Sequence, residues 1–141
     1  MLDYRFIKEN LEAVKANIAA RNMKADADLV VELFEKRTAM VTALQNLQTK
    51  RNENAAAMKG KLEADERTKL IEEGKSIKTE IAEMEKKVSA IETALETAGR
   101  QIPNMAHPDA PVGAVDSDNL EIKRVGTVRQ FDFEPKDHVQ L

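Results

Sequence analysis

A mainly α-helical protein built on a long antiparallel two-helix coiled-coil hairpin is what this 141-residue sequence predicts. Composition gives the first reason: 33% of residues are charged and only 4% are aromatic. Large aromatic side chains supply much of the buried area of an ordinary globular core. A chain dominated by Ala, Glu, Lys, Leu and Arg reads instead as long helices. The second reason is the scarcity of breakers, since no proline occurs between Asp26 and Gly99. The third is periodicity, with apolar residues recurring at alternating steps of three and four through two long segments. A large α/β enzyme fold with its own substrate pocket is disfavoured by the same facts.

Residues 1–25 hold two short helix candidates. Asp3 can cap a turn carrying Phe6 and Ile7, and Asn10 can cap Leu11 to Arg21, whose Leu11, Val14 and Ile18 form a stripe. That stripe must be buried, most simply on the base of whatever follows. The first long helix starts at Asp26 or Asp28, either of which can cap it. Its stripe is Val30, Leu33, Arg37, Met40, Leu44, Leu47, Arg51, Asn54 and Met58. The second begins near Asp65 and runs to Gly99 through Leu70, Gly74, Ile77, Ile81, Met84, Val88, Ile91, Leu95 and Ala98. A period of 3.5 keeps one seam facing a partner helix. The first helix is the weaker of the two, because Arg37, Arg51 and Asn54 interrupt its seam, although arginine stems can lie along apolar surface.

Helices of about 32 and 35 residues are each roughly 50 Å long. Matched helices joined at residues 60–66 fold back most simply as a hairpin spanning about 28–99. The expected register sets Leu47 near Ile81, Leu44 near Met84 and Met40 near Val88. It also sets Asn54 opposite Gly74, a thin layer expected to weaken the distal third. A parallel homodimer of one continuous helix is disfavoured by Gly60 and Gly74, since an interior glycine costs up to about 1 kcal/mol relative to alanine. A hairpin with one seam cannot enclose an active site, so it is a lever or a binding arm.

Beyond the arm, residues 101–141 read as a connector. Gly99 is placed to end the helix from a C-cap position, and three prolines from Pro103 to Pro111 enforce extended backbone. Leu120 to Val125 alternates as a strand should, with Val128 to Phe133 as a possible partner. Pro135 to Leu141 resembles a helix start cut after one turn, so a chain ending there is expected to be a fragment.

Chemistry-bearing constellations are few. The absence of cysteine excludes a disulfide scaffold, a zinc-thiolate site and a cysteine nucleophile, and fits a reducing compartment. The opening Met-Leu-Asp-Tyr-Arg-Phe lacks the apolar run of a secretory signal, and no window approaches the roughly 20 apolar residues of a membrane span. A cytoplasmic chain is expected. His107 and His138 have no neighbours completing a metal-ligand set, and connector or helix-start hydrogen bonding accounts for them better. Asp116-Ser117-Asp118-Asn119 departs from a calcium loop at Leu120-Glu121 and reads as a capped turn before a strand. No catalytic triad or nucleophile elbow can be assembled, so no catalytic, cofactor or metal residue is assigned.

Charge is more informative than its sum. The net charge is −3, yet residues 36–61 carry six bases (Lys36, Arg37, Lys50, Arg51, Lys59, Lys61) against Glu53 alone. Residues 62–99 carry six bases and ten acids. Polyanions respond to local potential, although a solvated helix face would look the same. Lys50, Arg51, Lys59 and Lys61 lie toward the tip, with Lys75 and Lys78 on the returning helix. Spaced cations on a stiff rod without aromatic platforms suit a folded RNA duplex better than single strands.

The connector then carries a resemblance. Ile102-Pro103-Asn104, His107-Pro108, Pro111-Val112-Gly113, Asp116, Asp118-Asn119 and Phe131-Asp-Phe-Glu-Pro-Lys-Asp-His138 resemble bacterial seryl-tRNA synthetases, as do Met1-Leu2-Asp3 and Ile7-Lys8-Glu9-Asn10. The resemblance covers the whole chain. It implies an N-terminal arm that grips the long variable arm and elbow of serine tRNA and delivers the acceptor end to a catalytic domain. That site commonly belongs to the other subunit of a homodimer. It implies ATP and magnesium in the parent's class II domain, none of whose motifs is present here, so the chain alone should be inactive. A helical-hairpin protein-interaction or prefoldin-like chaperone module without RNA binding is the rival reading. Such an arm should expose apolar residues at its tip, where only Leu62 is available between Gly60 and Asp65.

Overall fold

The computed structural model describes residues 1–60 and 63–141 and contains four α-helices: α1 (Tyr4–Glu9), α2 (Leu11–Ala20), α3 (Ala27–Ala57) and α4 (Ala64–Gln101). The long pair packs side by side as a hairpin. Asp26 is the N-cap of α3, its carboxylate accepting from the Leu29 amide at 2.9 Å, which satisfies one of the amides a helix start leaves unpaired. Acidic Asp65 and Glu66 in the first turn of α4 face its positive end. Lys61 and Leu62, within the expected tip, lie outside the described residues. Among the described residues no helix is long and apolar enough to cross a membrane.

The seam matches the heptad expectation. On α4, Ile77, Ile81, Val88, Ile91 and Leu95 are buried, and Leu70, Gly74, Met84 and Ala98 are half-buried. On α3, Val30 and Asn54 are buried, the seam positions Leu33, Arg37, Met40, Leu44 and Leu47 are half-buried, and Arg51 is exposed. Two cross-contacts fix the register. A side chain added at Gly74 would meet Asn54 Oδ1 at 3.1 Å, and Arg37 pairs with Glu92 at 2.8 Å. These pairs bracket the expected Leu47/Ile81, Leu44/Met84 and Met40/Val88 layers at matching intervals on both helices. The Asn54 layer is not simply thin. Its Nδ2 donates to the Leu70 carbonyl at 3.1 Å and to Glu73 Oε2 at 3.4 Å, so the glycine opposite makes room for a hydrogen-bonded polar layer.

At the base, α1 and α2 close over the hairpin. Ile7, Val14, Ile18, Ala27, Val30, Leu95 and Ile102 form one buried cluster, so the N-terminal stripe is buried where expected. Asp3 caps α1 by accepting from the Arg5 and Phe6 amides at 2.8 and 3.4 Å. Asn10 does not cap α2 with its side chain. Its Nδ2 donates backward to the Phe6 carbonyl at 3.0 Å, because one residue separates the helices and the end of α1 also needs a partner. The end of α2 is a left-handed cap at Asn22 (φ 50°), with Met23 N donating to the Ile18 carbonyl.

The expected Gly99 cap is corrected. Helix α4 continues through Gly99 to Gln101, and Gly99 is buried because a Cβ there would stand 2.7 Å from Tyr4 Cε1. The glycine serves close approach of Tyr4, whose ring lies 5.9 Å from that of Phe34. Pro103 ends the helix instead, by holding Ile102 extended (φ −72°, ψ 121°). The expected strand pair is also corrected: residues 120–125 and 128–133 form no strand, and Ile122 is 91% exposed. An isolated two-stranded ribbon is marginal in water, and no third strand or helix covers this one. The turn at Asp116–Asp118 is present, with Asp118 Oδ2 accepting from the Ala114 and Val115 amides.

Candidate nucleic-acid interface

Folding divides the basic segment of the sequence. Near the base, Lys36 is paired with Glu32 one turn back, and Arg37 donates Nε and a terminal nitrogen to Glu92 across the seam at 3.0 and 2.8 Å. Lys50, Arg51, Lys59, Lys75 and Lys78 are all exposed and form no ion pair among the described residues. Arg51 makes only a long contact to Asn52 Oδ1, 3.4 Å. Lys61 lies outside the described residues.

The Asn54/Gly74 register sets Lys50 level with Lys78 and Glu53 level with Lys75. Lys50, Arg51, Lys75 and Lys78 therefore form a collar around one level of the shaft. Lys59 is brought to a different place, in the turn beyond the end of α3 at Ala57, which is itself about 10 Å past Lys50 at 1.5 Å per residue. It shares the tip with Asp65 and Glu66 in the first turn of α4. At the collar, Glu53, Glu73 and Glu80 lie among the cations, and Glu73 and Glu80 keep their charge while accepting from the neutral Asn54 and Ser76. The four cations of the collar are all exposed, so each can reach a polyanion from the shaft.

Asn17 on α2 and Arg21 at its C-cap escape the periodicity argument. Asn17 is 8% exposed, and its Oδ1 accepts from the Ala106 amide at 2.9 Å while Nδ2 donates to the Asn104 carbonyl at 3.3 Å. One turn on, Arg21 donates to the same Asn104 oxygen at 2.7 Å. The signal was a polar residue between Val14 and Ile18 on an otherwise apolar face. His107 makes the expected kind of connector hydrogen bond, Nδ1 accepting from the Asp109 amide at 3.2 Å. Among the described residues no three His, Cys, Asp or Glu side chains are grouped to hold a metal.

Comparison with known proteins bears directly on this arm. Residues 1–106 match the model of the family described as the seryl-tRNA synthetase N-terminal domain. The serine–tRNA ligase of Treponema denticola is 64% identical over 141 residues, all of this chain and 33% of the relative. Those of Treponema pallidum and Rubrobacter xylanophilus are 48% and 45% identical over the same span. The chain thus spans about a third of the length of these curated relatives. Among solved structures, seryl-tRNA synthetase from Pyrococcus horikoshii complexed with ATP superposes with a TM-score of 0.75 at 25% identity, covering 86% of this chain and 28% of that one.

Proposed function

The chain belongs to the seryl-tRNA synthetase N-terminal domain family, and from that premise we propose that it is the tRNA-binding arm of a serine–tRNA ligase. The observation that carries the reading is the collar of Lys50, Arg51, Lys75 and Lys78, exposed and without ion pairs among the described residues, on a rod held by the α3–α4 seam. Lys59 and Lys61 extend the proposed contacts to the tip. Such a rod takes phosphates of a folded RNA by charge and outline, without stacking on its bases. The long variable arm and elbow of serine tRNA are the proposed ligand. Holding them fixes where the acceptor end lies, which turns encounter with the reaction centre into a positioned, intramolecular event.

Chemistry in this reading belongs to the parent beyond these residues: ATP-dependent activation of serine with magnesium, in a cytoplasmic homodimer. Residues 101–141 lead into that part. This chain's own residues bind and orient.

The test measures binding of serine tRNA, and of the same RNA without its variable arm, across a salt series. Tighter binding of the intact RNA is expected, with a salt slope that falls by about one for each of Lys50→Ala and Lys78→Ala. Equal affinity for both RNAs, or indifference to salt, overturns the reading. So does capture of unfolded protein without RNA binding. Lys59→Glu separates the two grips: lost affinity places phosphates at the tip, and unchanged affinity leaves the collar as the contact.

A further inference from the structure

The arm and the connector are joined by more than a peptide bond. Ile102 is packed into the base cluster and Pro103 is buried, but every residue from Asn104 to Leu141 is exposed. Between these regimes stands the three-bond contact of Asn17 and Arg21 with residues 104–106. The Asn17 amide presents one acceptor and one donor, to an amide and a carbonyl two residues apart. In extended backbone those two groups point to the same side, so the side chain imitates the edge of a neighbouring strand. Arg21 adds a charge-assisted bond to the carbonyl already held by Asn17. The contact is polar and lies beside the apolar cluster of Ile7, Val14, Ile18, Ala27, Val30, Leu95 and Ile102, not within it. A polar side chain 8% exposed with both amide atoms used on one remote segment is a built contact.

We propose that Asn17 and Arg21 are positioning residues, a clip that fixes the direction in which the connector leaves the arm and so aims the hairpin. The lever makes small angles matter. Lys50 lies roughly 35 Å along α3 from its start at Ala27, so a 10° swing at the base displaces the collar by about 6 Å. That is about the distance between successive phosphates of a strand, enough to move each cation from one phosphate to the next. The consequence for serine tRNA rests on the function proposed above, whereas the clip itself does not.

The chain contains no cysteine, so a pair of introduced thiols can be spin-labelled cleanly. Labels at Lys86→Cys on α4 and Asp109→Cys on the connector report the aim as a distance distribution. Asn17→Ala and Arg21→Ala are expected to broaden that distribution roughly twofold while the helical signal stays unchanged. Arg21 is exposed, so its variant tests the clip even where the Asn17 variant loosens the base, and Arg21→Lys should restore the narrow distribution. A width unchanged in both alanine variants overturns the clip. In the gene's full product, the same variants should lower kcat/KM for serine tRNA about fivefold and leave serine-dependent ATP–pyrophosphate exchange untouched. A broadened distribution with unaltered tRNA charging overturns the aiming role. Failure to charge serine tRNA at all in the unaltered protein removes the proposed function but leaves the label experiment to decide the clip.

Discussion

Asn54 and Gly74 behave as a single unit, and a double-mutant cycle exposes it. Alanine in place of an interior helical glycine ordinarily gains up to about 1 kcal/mol. Here the new methyl would stand 3.1 Å from Asn54 Oδ1, so the amide must give way and strain its bond to the Leu70 carbonyl. Gly74→Ala alone should therefore be neutral or destabilising in thermal unfolding, yet stabilising by about 0.5–1 kcal/mol in an Asn54→Ala background. Additive effects in the cycle would show that the two residues do not act together. Gly99→Ala has a plainer outcome. Its Cβ would meet the Tyr4 ring at 2.7 Å, pushing that ring off Phe34, and overpacking of this kind costs about 1–3 kcal/mol. These glycines differ in legibility. The facing of Gly74 and Asn54 followed from heptad counting, because both lie on the seam. Gly99 looked like a helix stop because its partner, Tyr4, is remote in sequence and no local pattern announces a close approach.

The helices were readable to the degree that their packing is repetitive. On α4 every position of the four-three alternation is buried or half-buried, since one seam with one partner leaves no other way to hide a stripe. The short elements depend on single contacts that the sequence does not order. Asn10 and Asn17 are each polar residues beside an apolar stripe, and only the fold decides that one finishes α1 and the other holds the connector. The alternation at Leu120–Val125 was genuine but lacks a surface to cover it, which is why it forms no strand. The same dependence on specific contacts governs how α2 is tied to α3. Lys15 reaches Asp28 Oδ1 at 2.8 Å and Glu12 Oε1 at 3.3 Å. The bond to Asp28 chiefly holds its ammonium above the ordinary 10.5. A raised value means the folded form keeps the proton longer than the unfolded chain does. The contribution is therefore complete below 10.5 and is lost as pH rises through the folded value. Lys15→Met should lower Tm slightly at neutral pH, less so in about 1 M salt. The difference from the unaltered protein should vanish once strongly alkaline pH has titrated Lys15. A persistent difference there would assign the effect to packing of the lysine stem.

Taken together, the base cluster, the seam and the exposed residues 55–60 and 63–69 set a gradient of stability along the arm. Apolar burial is concentrated where α1 and α2 close over Val30, Leu95 and Ile102, and it continues along α4 through Ile91, Val88, Ile81 and Ile77. Asn54 is the last buried residue of α3, and among the described residues 55–60 and 63–69 every one is exposed. Local opening costs little where few apolar contacts are lost and approaches the global value in the core. Amides in the distal parts of α3 and α4 should therefore exchange hydrogen roughly a hundredfold or more faster than those around Val30 and Leu95. The boundary should fall at the Asn54/Gly74 layer. Lys50 and Lys78 lie just on the protected side of it, so the collar occupies the outermost level that the seam still holds rigid, and Lys59 lies on the yielding side. Exchange in the presence of serine tRNA distinguishes the two. Phosphates seated on the collar should slow exchange first at the turns flanking Lys50 and Lys78, because binding there adds to structure that already persists. Phosphates seated on the tip would instead protect Ala55–Ala57 most, by ordering what the free arm leaves loose. Uniform protection along both long helices in the free chain would remove the gradient and with it the reason to rank collar above tip.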